Sequence, residues 1–464
     1  MNDLNRVGLI IILGLMMSSG LFMNPGYFSH DEIGWGIKAI SQSSLLNIEY
    51  YNLFHYDEFH YRPLNFNLWL FTSYYLFEIP QLYHFVLVFF GLINSTLLYF
   101  FIKKEVGYRI AFLTAITSTI MPTVAFVNGW IGTIADIFWF MFCIISLMIH
   151  QKNRISIRPN PIYLALSILF FIFSLMFKET AVVFPGILFI YIVYSRYKEQ
   201  GDIKIYKNKC DVIVFILSTL IFLSYILVRF EFLFPNNGGG YGTSITNVPF
   251  RMLEYFVYPF LIGNIEIHGL LIQHTLVELV TAFSMHVIFI VILCGKHIFR
   301  YFLYFSCYFV TSVPLLILDM SLPHYIYTSG FVIAFGVSIL FYSNIYKKLL
   351  SVVFFSALAI HGINIQKNYV FTGEYQNNFV NTLYSQIKGG DKDCIYVVKP
   401  EVGSASWIAI RAIAFREAIG ELTISNLVFF NESEVPDSMG KRHCYLSLDT
   451  SGRVVLTGGD NSVQ

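Results

Sequence analysis

Residues 83–104 read "YHFVLVFFGLINSTLLYFFIKK", in which twenty residues without Asp, Glu, Lys or Arg precede two lysines. A helix of that length rises about 30 Å, the thickness of a bilayer's hydrocarbon core. The whole chain of 464 residues is similarly apolar, with 56% hydrophobic and 13% charged residues and a mean hydropathy of +0.62. Soluble domains carry about 25% charged residues. The sequence therefore predicts a polytopic α-helical membrane protein.

Further apolar windows bring the prediction to about eleven transmembrane helices. They are 7–23, 83–102, 110–129, 131–149, 162–177, 180–195, 211–229, 276–294, 299–318, 324–342 and 348–363. The first is expected to be retained, because no small-residue cleavage site follows it. Two shorter apolar stretches, 64–79 and 249–262, each contain a charge and are predicted to be interfacial or half-inserted helices.

The distribution of lysine and arginine predicts the orientation of these helices. With a cytoplasmic N-terminus, the loops on the cytoplasmic side hold sixteen basic residues, and the outer segments before residue 364 hold five. Cationic loops stay in the cytoplasm. We therefore expect the first long loop, 24–82, to lie outside. The net charge of +1 gives no reason to expect a nucleic-acid partner.

The composition changes near residue 366, where polar residues replace the apolar run. Residues 1–365 are predicted to form the membrane domain, and 366–464 a small extracytoplasmic α/β domain. Within it, "NTLYSQIKGGDKDCIYVVKPE" indicates a helix, a turn and a strand, and "KRHCYLSLDTSGRVVL" a hairpin. Cys394 and Cys444 are the two cysteines predicted to lie outside, and a disulfide between them is left open.

Polar residues concentrate on the predicted outer face. They come from the first loop and from the outer ends of later helices: Asp31, Glu32, Asp57, Glu58, His60, Arg62, Trp130, Asp136, Lys178, Glu179, Asp319 and His324. Ionisable residues in membrane segments are costly and usually functional. Each also has a simpler interpretation, as a solvated flank, a headgroup anchor or a structural ion pair.

The residue types indicate what such a site could do. A carboxylate in a water-accessible cavity can take a proton from an alcohol, and Arg, Lys and His can hold a phosphate by charge-assisted hydrogen bonds. Grooves between apolar helices suit a lipid tail. The sequence has no HExxH, paired CxxC or GxSxG motif. These features favour transfer of a group from a lipid phosphate to a hydroxyl.

Five segments in the same order resemble the GT-C glycosyltransferases, particularly TMTC-type and related protein O-mannosyltransferases. They are "HYRPLNFNLWLF", "YHFVLVFFGLINSTLLYFFIKK", "IMPTVAFVNGWIGTIAD", "FKETAVVFPGILFIY" and "LPHYIYTSGF", together spanning about residues 25–340. Two positions depart from the family pattern, because Ile134 and His324 stand where the family has arginine. The family's tetratricopeptide tail is also absent. The resemblance therefore implies a bacterial cell-envelope relative more than the eukaryotic activity.

The resemblance also implies roles for individual residues. Asp31 would be the catalytic base and Glu32 its neighbour, while Arg62, Lys178 and His324 would bind the donor phosphate. The implied supporting residues are Asp57, Glu58, His60, Trp130, Asp136 and Glu179. Transfer would invert the anomeric carbon, and no cofactor is expected, although a divalent metal stays possible.

Together these points predict a glycosyltransferase of the bacterial inner membrane with a periplasmic active site. It would move a sugar from a polyprenyl-phosphate donor to a surface glycan of the O-antigen or lipopolysaccharide type. A sugar-lipid synthase and a flippase would act upstream. Three alternatives stay open: a protein O-glycosyltransferase of the same fold, a lipid-glycan transporter or flippase, and a non-catalytic assembly factor.

Overall fold

The computed structural model describes residues 2–28, 30–55, 60–155, 160–200, 208–233, 242–262, 274–389, 394–398, 427–429, 442–448 and 451–459. Its helices are α1 Asp3–Met17, α2 Ser19–Phe22, α3 His30–Ile40, α4 Pro63–Leu76, α5 Pro80–Val106, α6 Tyr108–Ser118, α7 Pro122–Gly129, α8 Ile134–Ile155, α9 Pro161–Phe177, α10 Phe184–Gln200, α11 Lys209–Leu233, α12 Val248–Val257, α13 Leu276–Cys294, α14 Ile298–Phe309, α15 Tyr327–Phe341 and α16 Ile345–Gly389. Short 3-10 turns connect several of them.

Seven helical segments of the described chain are long and apolar enough to cross a membrane, or eight if α6 and α7 form one bent span. The predicted class, a polytopic α-helical membrane protein, is confirmed. The other predicted spans coincide with α1–α2, α9 and α14. The helices there are shorter, with 15 residues in α1, 17 in α9 and 12 in α14. Both stretches predicted to be interfacial are helical, as α4 and α12.

The predicted helix 110–129 is broken in the structure. Its two halves, α6 and α7, meet at an angle of 53°. The reason is local: Pro122 has no N–H to donate, and Met121 before it has an extended backbone, with ψ at 139°. Every residue of α7 is buried, so the broken half lies at the centre of the bundle.

The predicted last span ended at residue 363, whereas α16, which has 45 residues in all, continues to Gly389. The length of the apolar run in the sequence identified only the apolar part of this helix. Beyond it, a buried stripe at helical spacing continues through Ile365, Tyr369, Phe379 and Leu383, and no proline interrupts it before the glycines near 389. A helix can therefore continue where its hydrophobicity stops.

The C-terminal strands β1 Cys394–Val398, β2 Leu427–Phe429, β3 Arg442–Leu448 and β4 Val454–Gly459 form a mixed sheet in the order β2-β1-β3-β4. The predicted hairpin is present as the antiparallel pair β3–β4. The sheet contacts α16 through hydrogen bonds from Asn378 to the Ser451 carbonyl and from the Val454 N–H to Thr382. Cys444 is disulfide-bonded; the side chain of Cys394 lies outside the described residues.

The bundle has two ends that carry charge. We call the end formed by α3, the start of α4, the α7–α8 corner and the α9–α10 corner the site end. At the opposite end, Asp211 accepts hydrogen bonds from Arg154 at 3.0 Å and Arg196 at 3.1 Å, which ties α8, α10 and α11 together. The described residues between the two ends include no Asp, Glu, Lys or Arg.

Candidate active site

Arg62 and Glu179 form an ion pair at the site end, with 2.7 Å between Nε and Oε2. Arg62 immediately precedes Pro63, the first residue of α4, and Glu179 opens the 3-10 turn that leads into α10. Pro63 therefore fixes where the arginine leaves the chain. The Glu179 carboxylate also lies 4.0 Å from Arg229 and 3.9 Å from the His60 Nδ1. It is therefore within 4.0 Å of three basic side chains, those of Arg62, Arg229 and His60.

Lys178 and Asp136 form a second ion pair. The Lys178 Nζ lies 2.6 Å and 2.7 Å from the two carboxylate oxygens of Asp136, and both residues are buried. Trp139 adds a weaker bond from its indole N–H at 3.4 Å. Asp136 stands in the first turn of α8. The lone carboxylate near the end of an apolar helix is therefore matched by a lysine from the neighbouring corner.

The two ion pairs are joined through consecutive residues. α9 ends at Phe177, and Lys178 has an extended backbone, with φ at −158° and ψ at 139°. Side chains that follow one another on extended backbone point to opposite sides. Lys178 therefore reaches α8, while Glu179 reaches the loop before α4. A two-residue corner positions both cations of the site.

Glu32 is buried and is bonded to the backbone, with exposure of 1%. Its Oε1 accepts from the Ile131 N–H at 2.6 Å, and its Oε2 accepts from the Phe28 N–H at 2.7 Å. The carboxylate thereby fastens the start of α3 to the corner between α7 and α8. Asp31, one residue earlier, is exposed. Of the predicted acid pair, one residue holds the structure and the other faces the solvent.

His324 lies in an aromatic enclosure at the start of the 3-10 turn before α15. Its ring is edge-on to Trp130 at 5.3 Å and to Tyr325 at 4.3 Å between centroids, and it is 8% exposed. Its Nδ1 is buried without a hydrogen-bond partner among the described residues. No carboxylate of the described chain forms an ion pair with it. As a phosphate ligand, His324 would be weaker than the arginine that the GT-C pattern has at this position.

His60 is held in its neutral form. Burial lowers the pKa of its imidazole to about 4, and the positive charge of Arg62 acts in the same direction, although Glu179 opposes it. Asp57 and Glu58, the other predicted supporting residues of this loop, lie outside the described residues. His60 is therefore positioned beside the Arg62–Glu179 pair as a neutral hydrogen-bonding group.

Arg229 was not selected from the sequence as a site residue. It projects from α11, is 1% exposed, and donates a hydrogen bond to the Tyr225 hydroxyl at 2.8 Å. Its guanidinium also lies over the Tyr61 ring, 5.3 Å from the centroid. The available signal was an arginine near the outer end of an otherwise apolar helix.

Arg251 was also not selected. It bonds to Glu254 and to the carbonyls of Leu318 and Asp319. Asp319 in turn accepts a hydrogen bond from Asn247 at 2.8 Å. These contacts hold α12 against the corner before α15. Asp319 therefore helps to hold the corner before α15 against α12.

The structure brings Arg62, Lys178, Asp136, Glu179 and His60 together in one cluster. Glu32, Trp130 and His324 form an adjoining group at the α7–α8 corner. No group of three or more His, Cys, Asp or Glu side chains in the described ranges could hold a metal ion. The cations are suited to binding an anionic group at the edge of an apolar bundle. The roles assigned to these residues from the sequence stay predictions.

No protein-family model matches the chain, and no curated protein matches it. The solved structures that are similar to it include two crystal structures of ArnT from Cupriavidus metallidurans, one bound to undecaprenyl phosphate and one in the apo state. Each has a TM-score of 0.47 and 10% sequence identity, covering 95% of this chain and 92% of the other. At these values the likeness carries no argument about the activity of this chain.

Proposed function

We propose that this protein is a GT-C glycosyltransferase that moves a sugar from a polyprenyl-phosphate donor to a hydroxyl acceptor. The observation that carries the proposal is the Lys178–Glu179 corner. It fixes two cations, Lys178 itself and Arg62, in buried or half-buried positions at one end of an apolar bundle. A lipid phosphate is the ligand whose charge fits the cations and whose tail fits the surroundings.

The hydrogen-bonding capacity of Lys178 supports this ligand. An ammonium group has three donors, and Asp136 takes two of them. The third can bind a phosphate oxygen while the carboxylate keeps the side chain in place. Glu179 orients the guanidinium of Arg62 in the same way through its Nε. The two carboxylates would therefore act as positioning residues.

The proposed reaction is a single displacement. Asp31 takes the proton of the acceptor hydroxyl, whose oxygen then bonds to the anomeric carbon of the donor sugar. The bond from that carbon to the phosphate oxygen breaks, and its electron pair leaves with the polyprenyl phosphate. Arg62 and Lys178 stabilise the charge that develops on the leaving oxygen. The displacement inverts the anomeric carbon and needs no further reactant.

The finer identity of the protein is part of the same proposal. The acceptor would be a surface glycan of the O-antigen or lipopolysaccharide type, and the site would face the periplasm of a bacterial inner membrane. A sugar-lipid synthase and a flippase would supply the donor. The basic residues of the predicted cytoplasmic loops support this orientation. A protein hydroxyl is the alternative acceptor.

The distribution of charge favours an enzyme over a transporter. A transport path would place ionisable residues through the bilayer. In the described helices the Asp, Glu, Lys and Arg residues lie at the two ends of the bundle, and the buried polar residues between them, such as Asn94, Ser95 and Ser146, are neutral. His286, in the middle of α13, is bonded to the Phe256 carbonyl and the Tyr304 hydroxyl. A flippase would also move the donor across a vesicle membrane without cleaving it.

The test is release of polyprenyl phosphate from a radiolabelled polyprenyl-phosphate sugar by the purified protein in the presence of acceptor glycolipid. Arg62→Ala should raise the donor KM about 10- to 100-fold, because a charge-assisted hydrogen bond contributes about 1.5–3 kcal/mol. Asp31→Asn should lower kcat about 10²- to 10⁴-fold and leave donor binding unchanged.

Arg6→Ala is the matched control, because Arg6 pairs with Asp3 at the opposite end of the bundle. It should retain the wild-type kinetics. Near-normal turnover by Asp31→Asn would remove that residue from the mechanism. Translocation of intact donor by wild-type protein, without cleavage, would replace the transferase by a flippase.

A further inference from the structure

A groove of about 610 Å³ lies on the outside of the bundle, away from the ion-paired cluster. It runs between α1–α2, the break that separates α6 from α7, and α16. We call it the α16 groove. Its floor is apolar and includes Met17, Ile120, Phe355, Ala359 and Ile363. Nothing in the proposed sugar transfer uses this surface.

The apolar part of the groove is about as long as one leaflet is thick. The part of α16 without Asp, Glu, Lys or Arg, 349–366, has 18 residues between Lys348 and Lys367, a rise of about 27 Å. From Phe355 to Lys367 the groove follows α16 for about 18 Å, slightly more than half of a ~30 Å hydrocarbon core. Its dimensions fit a lipid chain that enters from the interface at the site end.

Two broken helices form the inner wall of the groove. Where α1 gives way to α2, the Gln366 side chain donates to the Met17 carbonyl at 2.8 Å and accepts from the Gly20 N–H at 3.2 Å. At the other break, Gly362 lets α16 approach the Ile120 carbonyl so closely that a Cβ would lie 1.9 Å from its oxygen. These contacts satisfy or cover the interrupted backbone, so the wall is a built surface.

The mouth of the groove carries one charge of each sign. Lys367 and Glu374 both line it, and both are exposed. They are seven residues apart on α16, which places them on the same face, two turns from each other. The lysine lies at the end of the apolar stretch, and the glutamate lies beyond it. A ligand here meets a cation first and a carboxylate about 10 Å farther out.

We infer that the α16 groove binds a phospholipid with an ethanolamine headgroup. One acyl chain lies on the floor, the phosphate pairs with Lys367, and the ammonium pairs with Glu374. The order of the two charges along α16 matches the order of phosphate and amine along the headgroup. The ethanolamine ammonium, unlike the quaternary nitrogen of choline, also has N–H groups to donate to the carboxylate. An anionic headgroup without an amine would leave the glutamate facing its negative charge. This inference is independent of the proposed sugar transfer.

The experiment is a lipid-binding titration by native mass spectrometry of the full-length protein, delipidated in detergent. The probes are dioleoyl phosphatidylethanolamine, phosphatidylcholine and phosphatidylglycerol, which share their acyl chains. We expect the ethanolamine lipid to bind wild-type protein about tenfold more tightly than either of the others. Ala359→Phe should weaken binding of all three lipids because the new ring fills the floor.

The headgroup variants separate the two charges. Lys367→Met should weaken binding of the ethanolamine and glycerol lipids. Glu374→Gln should weaken the ethanolamine lipid and strengthen the glycerol lipid, which reverses the preference. Lys348→Met and Ser356→Phe are matched controls on α16, both at exposed positions outside the groove lining. They should bind as the wild type does.

Equal binding of the three lipids to wild-type protein would show ordinary boundary lipid and overturn the inference. So would an ethanolamine preference that survives Glu374→Gln, or a loss in Ala359→Phe no larger than in Ser356→Phe. Because the charged positions are exposed, their variants are expected to fold, and unchanged elution from a sizing column confirms it.

Discussion

The buried Lys178–Asp136 pair allows a quantitative test of what holds the site together. Both side chains are 4% exposed, and the ammonium contacts both carboxylate oxygens at 2.6 Å and 2.7 Å. Lys178→Met keeps most of the volume and removes the charge. Asp136 is then a buried carboxylate without this partner. Breaking such a pair costs about 3–5 kcal/mol, so the free energy of unfolding should fall by about that amount.

The opposite expectation holds when both charges are removed. Lys178→Met combined with Asp136→Leu leaves no uncompensated charge, and replacing a buried pair by apolar residues is often neutral or stabilising by about 1–4 kcal/mol. The double variant should therefore be at least as stable as the wild type while lacking sugar transfer. The result would separate the stability of the corner from its function.

The measurement is reversible unfolding in mixed micelles with increasing SDS, followed by circular dichroism. Lys198→Met is the control, because Lys198 pairs with Glu105 at an exposed position, with 45% of its own side chain accessible, where a pair contributes about 0–1 kcal/mol. A loss below about 1 kcal/mol in Lys178→Met would refute the reasoning. So would additive losses in the double variant.

Three further predictions concern other parts of the chain. Because the pKa of His60 is lowered to about 4, the unfolded chain binds a proton between pH 6.5 and 4 that the folded protein does not. The thermal midpoint should therefore fall as the pH is lowered from 6.5 to 4. It should fall less in His60→Gln. Gly362→Leu should destabilise the bundle by about 1–3 kcal/mol, since the Ile120 carbonyl occupies the space of the new side chain; SDS unfolding measures it, and an unchanged midpoint would contradict the contact. EDTA should leave sugar transfer at its original rate, and restoration by Mg²⁺ or Mn²⁺ of an activity lost in EDTA would show a metal requirement.

The membrane class and the position of the helices were predictable because both depend on local properties. A run such as 83–102 is identified by its length and lack of charge, and the structure places α5 there. The break between α1 and α2 was not predictable in the same way. Met17 to Ser19 looks like continuous helix, and the glutamine that bonds to the interrupted backbone comes from Gln366, nearly 350 residues later.

The members of the ion-paired cluster were largely predictable, and their pairing was not. Charged residues stand out in apolar sequence, so Arg62, Lys178 and Asp136 could be selected. Which cation contacts which carboxylate depends on the direction of the backbone at Lys178, which no pattern of hydrophobicity determines. Arg229 entered the sequence analysis only as one of the basic residues that predict the orientation. It was not selected for the site because its contact with Glu179 depends on the tertiary fold.

The 45-residue length of α16 has a mechanical consequence. A straight helix of that length measures about 68 Å, of which roughly half stands clear of the apolar part. Its far half carries the β3–β4 hairpin through Asn378 and Thr382, and its near half holds the α1–α2 break through Gln366. It therefore connects the terminal sheet to the α1–α2 break through one continuous helix, so that a displacement of the sheet would be transmitted to that break.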